Sequence, residues 1–310
     1  MSIQLIAIDI DGTLMPSAGL RISPRNCAAL RAAEAAGIEI VISTGRRQAY
    51  AMPLISQVGL DENSVMISSN GAVVRGFDGH LLDRRFLPLE TARQLCVALR
   101  GHGTLVFTFD REGVGALVIE NLKQLHARID RWVEANRPYL VEMRPIERVF
   151  DAGDEPIQGM LCGTVEEMVM AEKQLLTSAL AGQIAMHRTE YAARNLSILD
   201  LLPPGCSKGA ALDCLARIRG LERHQIMAIG DNLNDLEMLH YAGHAVVMGN
   251  ASQEIRDLAQ REGWQVTASN DEDGVALAIE AILGQQTIEQ DAEGNEEEAM
   301  AGSAVVQFAQ

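Results

Sequence analysis

Two carboxylates stand two residues apart in Asp9-Ile10-Asp11-Gly12-Thr13, directly after the apolar run Leu5-Ile6-Ala7-Ile8. Like charges a few ångströms apart raise each other's pKa unless a cation or proton intervenes, so a buried strand ending this way calls for a counter-charge. An Asp-Gly turn that caps a strand would account for the pattern with no chemistry at all. Residues far along the chain decide between the two. Ser43-Thr44-Gly45-Arg46 ends a second apolar run, and Gly230-Asp231-Asn232-Leu233-Asn234-Asp235 ends a later one. Lys208 follows Pro203-Pro204-Gly205-Cys206-Ser207 at an expected helix N-terminus.

In open parallel sheets ligands bind outside the carboxyl ends of the strands, so these distant groups are expected to converge. Four carboxylates with a lysine and an arginine suit a hard divalent cation together with a phosphate. Mg²⁺ takes oxygen ligands from one or two carboxylates, water and phosphate. One carboxylate can act as nucleophile and form an aspartyl-phosphate. A second can protonate the leaving oxygen and later deprotonate water. Hydroxyl, backbone N–H and lysine groups would then hold the phosphoryl oxygens.

The elements that must position these groups alternate at first. Ser23-Pro24 opens an alanine-rich segment that ends at Gly37, which combines an N-cap, a proline at the first helical position and a terminal glycine. Residues 38–43 and 65–68 are apolar, β-branched runs, and strand alternating with helix predicts a parallel sheet covered on both faces. From about Asp83 the texture changes. Residues 104–109 and 115–119 flank a polar turn as an antiparallel pair, helices are expected over 121–137 and 165–181, and strands over 157–162 and 184–187. The α/β pattern returns with a strand at 196–201, a helix from Ser207 and a strand at 226–229. The expected fold class is α/β: a doubly wound parallel sheet from 1–82 and 191–284, with an inserted α+β domain over 83–190. An acidic tail at 285–310, poor in large apolar residues until its end, is expected to be disordered.

The motifs taken together resemble the haloacid dehalogenase superfamily, specifically its Cof-type phosphatases, which carry a large α+β cap between the second and third motifs. Ser69-Asn70-Gly71, Ser207-Lys208-Gly209, Met248-Gly249-Asn250-Ala251 and Asp273-Gly274-Val275 match in order with the three strand ends. The resemblance implies that Asp9 is the nucleophile, Asp11 the general acid/base, Thr44 the second-motif hydroxyl in preference to Ser43, and Lys208 the phosphoryl-binding lysine. It also implies Mg²⁺ held by the Asp9 carboxylate, the Asp11 carbonyl and Asp231, with Asp235 beside them. Gly12, Gly45, Arg46, Asn70 and Asn234 match positions that face the phosphate or substrate. Asn70-Gly71 reads equally well as a tight hairpin turn, and Asp235 as a helix-terminus charge that orients Lys208.

The chain of 310 residues is long enough for two cores, and its formal net charge of −16 disfavours nucleic-acid and anionic-membrane partners. An acidic protein that handles an anionic substrate needs positive charge concentrated locally. Five scattered cysteines with no C-x-x-C pair argue against a disulfide framework or a zinc site. With no basic or apolar leader and no run of the ~20 apolar residues a membrane span requires, the expected location is the cytoplasm. The expected activity is Mg²⁺-dependent hydrolysis of small phosphomonoesters such as sugar phosphates, with a phosphosugar mutase or a non-catalytic phosphometabolite-binding regulator as alternatives. Asp11 disfavours dehalogenation, because halide leaves without a proton whereas an alkoxide needs one.

Overall fold

The computed structural model describes residues 2–19, 21–191 and 194–285; the acidic stretch from residue 286 onward, expected to be disordered, lies outside the described residues. The chain begins with β1 (Leu5–Ile8), α1 (Pro24–Ala35), β2 (Glu39–Ser43), α2 (Gln48–Ile55) and β3 (Val65–Ser68). A hairpin of β4 (Val73–Gly76) and β5 (Leu81–Arg84) follows. Next come α3 (Leu89–Ala98), β6 (Thr104–Thr108), β7 (Leu117–Ile119), α4 (Leu122–Asn136) and β8 (Leu140–Glu142). After these stand β9 (Gln158–Gly163), α5 (Val165–Leu176), β10 (Ala185–Tyr191) and β11 (Leu196–Leu202). The last part holds α6 (Lys208–Arg219), β12 (Ile226–Gly230), α7 (Leu236–Tyr241), β13 (His244–Val247), α8 (Gln253–Glu262) and β14 (Gln265–Val266), then helical residues 274–285.

The first sheet runs β14-β13-β12-β1-β2-β3-β4-β5. Its pairings are parallel from β14 to β3 and antiparallel across the β4 and β5 edge. Burial on both faces explains the unbroken apolar runs in its strands. Ile6 and Ile8 of β1 pack with α1, α2 and the last helix, whereas Leu5 and Ala7 pack with α6, α7 and α8. The second sheet runs β10-β11-β9-β6-β7-β8, with α3 and α5 packed on one face and α4 on the other. The six-residue run Thr104–Phe109 and its partner do pair antiparallel, as β6 and β7.

Three expectations change. Residues 196–201, expected to open the returning α/β half, form β11 of the second sheet, antiparallel to both β9 and β10. The return therefore begins after Leu202, and a boundary at 190/191 would cut through one sheet. Periodicity could not reveal this, because an apolar strand buried on both sides looks the same in either sheet. Strand β10 runs on through Arg188, Thr189 and Glu190, which hold no apolar pattern because Arg188 is paired with Glu172 and Glu190. Helix α5 stops at Leu176, short of 181, where the Thr177 hydroxyl donates to the carbonyls of Lys173 and Gln174 and the Ser178 hydroxyl to that of Leu175. Such local bonds compete with helical continuation.

No helix among the described residues is long and apolar enough to cross a membrane. All five cysteines are free thiols, four of them buried.

Candidate active site

The carboxyl ends of β1, β2, β3 and β12 deliver the polar residues to one place. Lys208, at the first position of α6, is fully buried, and its ammonium donates to Asp9 Oδ1 and Asp235 Oδ1 at 2.6 Å each. Asp235 Oδ2 accepts from the backbone N–H groups of Asp231 and Asn232, both at 3.0 Å. Both Asp235 oxygens are thus engaged in holding the lysine and the loop after β12. Asp231 accepts a 2.9 Å bond from the Thr13 hydroxyl. Carboxylate oxygens of Asp9, Asp231 and Asp235 lie within 4.8 Å of one another, a spacing that a metal ion could bridge.

Three buried carboxylates around one ammonium leave excess negative charge in a poorly solvated place. Burial pushes Asp9 up to about 7, against the pull of Lys208 and with help from the charges of Asp235 and Asp11. Burial, with the charges of Asp235 and Asp9, pushes Asp231 well above the usual carboxylate range. The Lys208 ammonium moves the other way from a buried lysine: burial works against the charged form, but Asp235 and Asp9 raise its pKa overall. A hard divalent cation matches this donor set, since it would neutralise oxygens that otherwise compete for protons.

Asp11 stands apart from the three. Its carboxylate is held by the Arg46 guanidinium through two bonds, Nε at 2.7 Å and Nη2 at 2.5 Å, and Arg46 lies over the Tyr50 ring at 4.6 Å. Asp11 keeps 38% side-chain exposure, whereas Asp9 beside it is buried. Two carboxylates two residues apart thus occupy different surroundings, one locked in an ion pair with lysine and one at the mouth with arginine.

Gly12 has φ +88, and a Cβ there would sit 2.3 Å from Asp231 Oδ2. Asp231 can close on the first loop only because that side chain is missing. Gly45 leaves room for Asn70, whose amide nitrogen would be 3.1 Å from a Cβ. Thr44 is buried with its hydroxyl accepting from Arg46 N–H at 3.1 Å, and the Ser43 hydroxyl is buried without a partner among the described residues. The later motifs brace the first loop: Asn250 donates to the Gly12 carbonyl at 2.8 Å and Asn270 to that of Met15 at 2.7 Å.

Asn70 answers both of its sequence readings. It forms the β3–β4 connection with φ +52, a conformation asparagine tolerates, and its side chain also points inward. Its amide accepts from Asn234 Nδ2 at 3.0 Å and donates to Asp200 Oδ2 at 2.7 Å, while Gln158 donates to Asp200 Oδ1 at 2.6 Å. Asp200 and Gln158 belong to the second sheet, so this chain of amides crosses between the two sheets.

Sequence reasoning missed Asp200, which burial pushes up to about 7 against the bonds from Gln158 and Asn70. The signal was there: a lone carboxylate inside the apolar run of β11, and buried polar residues are the informative ones. It also missed Tyr191 at the end of β10, whose hydroxyl pKa is driven up by burial and by the charges of Asp11, Asp9 and Asp231. The second sheet is anchored beside it by Asn232, which exchanges bonds with the Glu190 backbone at 3.3 and 3.4 Å.

Residues 6–279 match the haloacid dehalogenase-like hydrolase family over nearly the whole described chain. The chain belongs to that family. It is an enzyme of the phosphoric monoester hydrolase class, as its named relatives are. It is 30% identical to the Bacillus subtilis 5-amino-6-(5-phospho-D-ribitylamino)uracil phosphatase YwtE, covering 91% of this chain and 99% of that protein. It is also 30% identical to the HMP-PP phosphatase of Serratia proteamaculans over 82% and 87% of the two chains. Among solved structures, a haloacid dehalogenase-like hydrolase from Bacteroides thetaiotaomicron superposes with TM-score 0.73 at 28% identity, over 91% of this chain and all of that one. The subclass IIB sugar phosphatase BT4131 gives TM-score 0.74 at 25% identity, over 90% and 98%. These haloacid dehalogenase-like hydrolases share the larger sheet and the inserted second sheet, which forms their cap.

Proposed function

We propose that this hydrolase removes the phosphoryl group from small phosphomonoesters, such as sugar phosphates or similar metabolites, through an aspartyl-phosphate on Asp9. The observation that carries the reading is the division of labour between Asp9 and Asp11: adjacent carboxylates, one buried on Lys208 and one half-open on Arg46. A nucleophile needs a fixed position, and a proton carrier needs access to solvent and leaving group.

In the first step an Asp9 carboxylate oxygen attacks phosphorus, the ester P–O bond breaks, and Asp11 in its acid form gives its proton to the departing alkoxide. In the second step Asp11, now a carboxylate, takes a proton from water; the resulting hydroxide attacks phosphorus, and Asp9 leaves as carboxylate with inorganic phosphate as product. Lys208 keeps Asp9 in place and, with the Thr44 hydroxyl and backbone N–H groups of the first and second loops, receives charge on the phosphoryl oxygens. Arg46 holds the Asp11 carboxylate through two hydrogen bonds. An incoming phosphate offers Arg46 a second anionic partner. Asn70 and Asn234, joined to each other, face the substrate side of this centre.

Asp9 and Asp231 would hold Mg²⁺ together with the Asp11 carbonyl, while Asp235, with both oxygens occupied, orients Lys208 and the Asp231 loop. When bound, Mg²⁺ would offset the charge that gathers on the transferring phosphoryl group.

Hydrolysis of p-nitrophenyl phosphate with and without Mg²⁺, in the wild type and in Asp9→Asn, tests the reading. Wild-type turnover that requires Mg²⁺ and falls at least about 1,000-fold in the variant is expected, since the nucleophile is lost. Turnover that survives in Asp9→Asn would remove Asp9 from the role.

A further inference from the structure

A cavity of about 630 Å³ opens between the two sheets, walled by the start of α2 and the ends of β3 and β4 on one side and by the β6–β7 turn and Tyr139 on the other. None of the carboxylates of the candidate site lines it. Its wall contains Arg47 and Ser69, the chain neighbours of Arg46 and Asn70.

The Arg47 guanidinium lies 4.5 Å over the Tyr139 ring, and its Nε and Nη2 are buried with no acceptor among the described residues. The Ser69 hydroxyl is likewise buried and unpartnered. Such groups are rare in folded proteins because each forfeits its solvation. The other charges of the wall are already committed. Asp110 is shared by Arg75 and Arg84 at 2.8 and 2.9 Å, Arg111 is bound to the Gly115 carbonyl and Asp154, and Glu112 is exposed to water. Arg47 therefore lacks a hydrogen-bonded anion of its own, and burial lowers its pKa although Tyr139 and the Asp110 charge act the other way. In a chain of net charge −16, a half-buried guanidinium with no bonded acceptor, next in sequence to Arg46, stands out.

We propose that Arg47 and Ser69 form a second anion subsite, which takes a carboxylate or second phosphate carried on the leaving part of the substrate. The proposal rests on the phosphatase reading and narrows its substrate class to phosphomonoesters with a further anionic group several bonds from the phosphate. The planar guanidinium fork matches either oxyanion, and the serine hydroxyl adds one more donor.

The test compares substrates matched in length: 3-phosphoglycerate against glycerol 3-phosphate, and 6-phosphogluconate against glucose 6-phosphate. In the wild type at least one carboxylate-bearing member is expected to exceed its neutral partner about tenfold in kcat/KM, mostly through KM. Arg47→Gln brings that ratio close to one, and Arg47→Lys restores part of it. A measurement free of variants is inhibition of p-nitrophenyl phosphate turnover by glycerate and gluconate, which should exceed that by glycerol and glucose. Ratios near one for both wild-type pairs, or an unchanged preference in Arg47→Gln, would overturn the subsite and leave the phosphatase reading intact. Absence of any p-nitrophenyl phosphate turnover by the wild type would bring down both.

Discussion

At the scale of single residues, the site is organised by what each charge is allowed to touch. Asp9 and Asp235 share one buried lysine, Asp231 accepts from the Thr13 hydroxyl, and Asp11 is paired with an arginine at the mouth. Gly12 makes the closest of these approaches possible, so replacing it tests the geometry directly. Gly12→Ala places a methyl group 2.3 Å from the Asp231 carboxylate on a residue with φ +88. It is expected to cost about 2 kcal/mol from the backbone conformation alone, and to displace Asp231. Thermal melts with and without MgCl₂ report both effects. The wild type should gain melting temperature on adding Mg²⁺, and Gly12→Ala should lose most of that gain. A variant that keeps the full Mg²⁺ response would show that Asp231 need not approach the first loop.

At the scale of elements, helix termini set the positions of the reacting groups. Ser207 caps α6 by accepting from the Ala210 N–H at 3.0 Å and donates to Glu237, and Lys208 is the next residue along. Thr164 caps α5 in a reciprocal box with Glu167, at 3.1 and 2.7 Å, against the second sheet. Removing either hydroxyl by substitution with alanine should cost about 1 kcal/mol. Only Ser207→Ala should also lower kcat, by up to about tenfold, because under the proposed mechanism a small displacement of Lys208 is felt in the transition state. Chemical denaturation gives the first quantity and steady-state kinetics the second. Equal effects of the two variants on kcat would refute the positional link between the α6 cap and Lys208. The cap, the lysine and the three strand ends were legible in the sequence, because Ser-Lys-Gly at a helix start and Asp-x-Asp after an apolar run are local patterns. The membership of β11 was not, since which sheet a buried strand joins depends on partners dozens of residues away.

At the scale of the molecule, the larger sheet and its cap are joined through buried polar groups rather than apolar contact alone. The link Asn234–Asn70–Asp200–Gln158 crosses the junction, and Asp200 at its centre is a carboxylate that burial pushes up to about 7. The unfolded chain releases that proton near pH ~4. Between those limits the native state binds more protons than the unfolded one, so this group's contribution to stability falls as pH rises from about 4 to about 7 and is level above. Asp9 and Asp231 slope the same way, which makes a difference measurement the informative one. Denaturation of the Mg²⁺-free protein at several pH values should give a shallower decline for Asp200→Asn than for the wild type across that window. Identical slopes would mean that Asp200 is ionised throughout and that its two amide donors outweigh its burial.

The sequence alone determined the phosphatase class, because it is carried by residue types that have few other uses in this pattern: two aspartates after a buried strand, a lysine at a helix start, and a third acidic motif after a late strand. It determined the larger sheet for the same local reason, since apolar runs alternating with capped helices admit few arrangements. Only the tertiary structure decided how the charges are distributed. Asp235 is consumed by Lys208 and two backbone N–H groups, Arg46 is spent on Asp11, and Asp200 reaches Asn70 from another sheet. Each of these is a contact across more than twenty residues of chain or at a bend that no pattern encodes, except the short Asp235 turn. Burial then fixes their energies, and burial is a property of the packed whole.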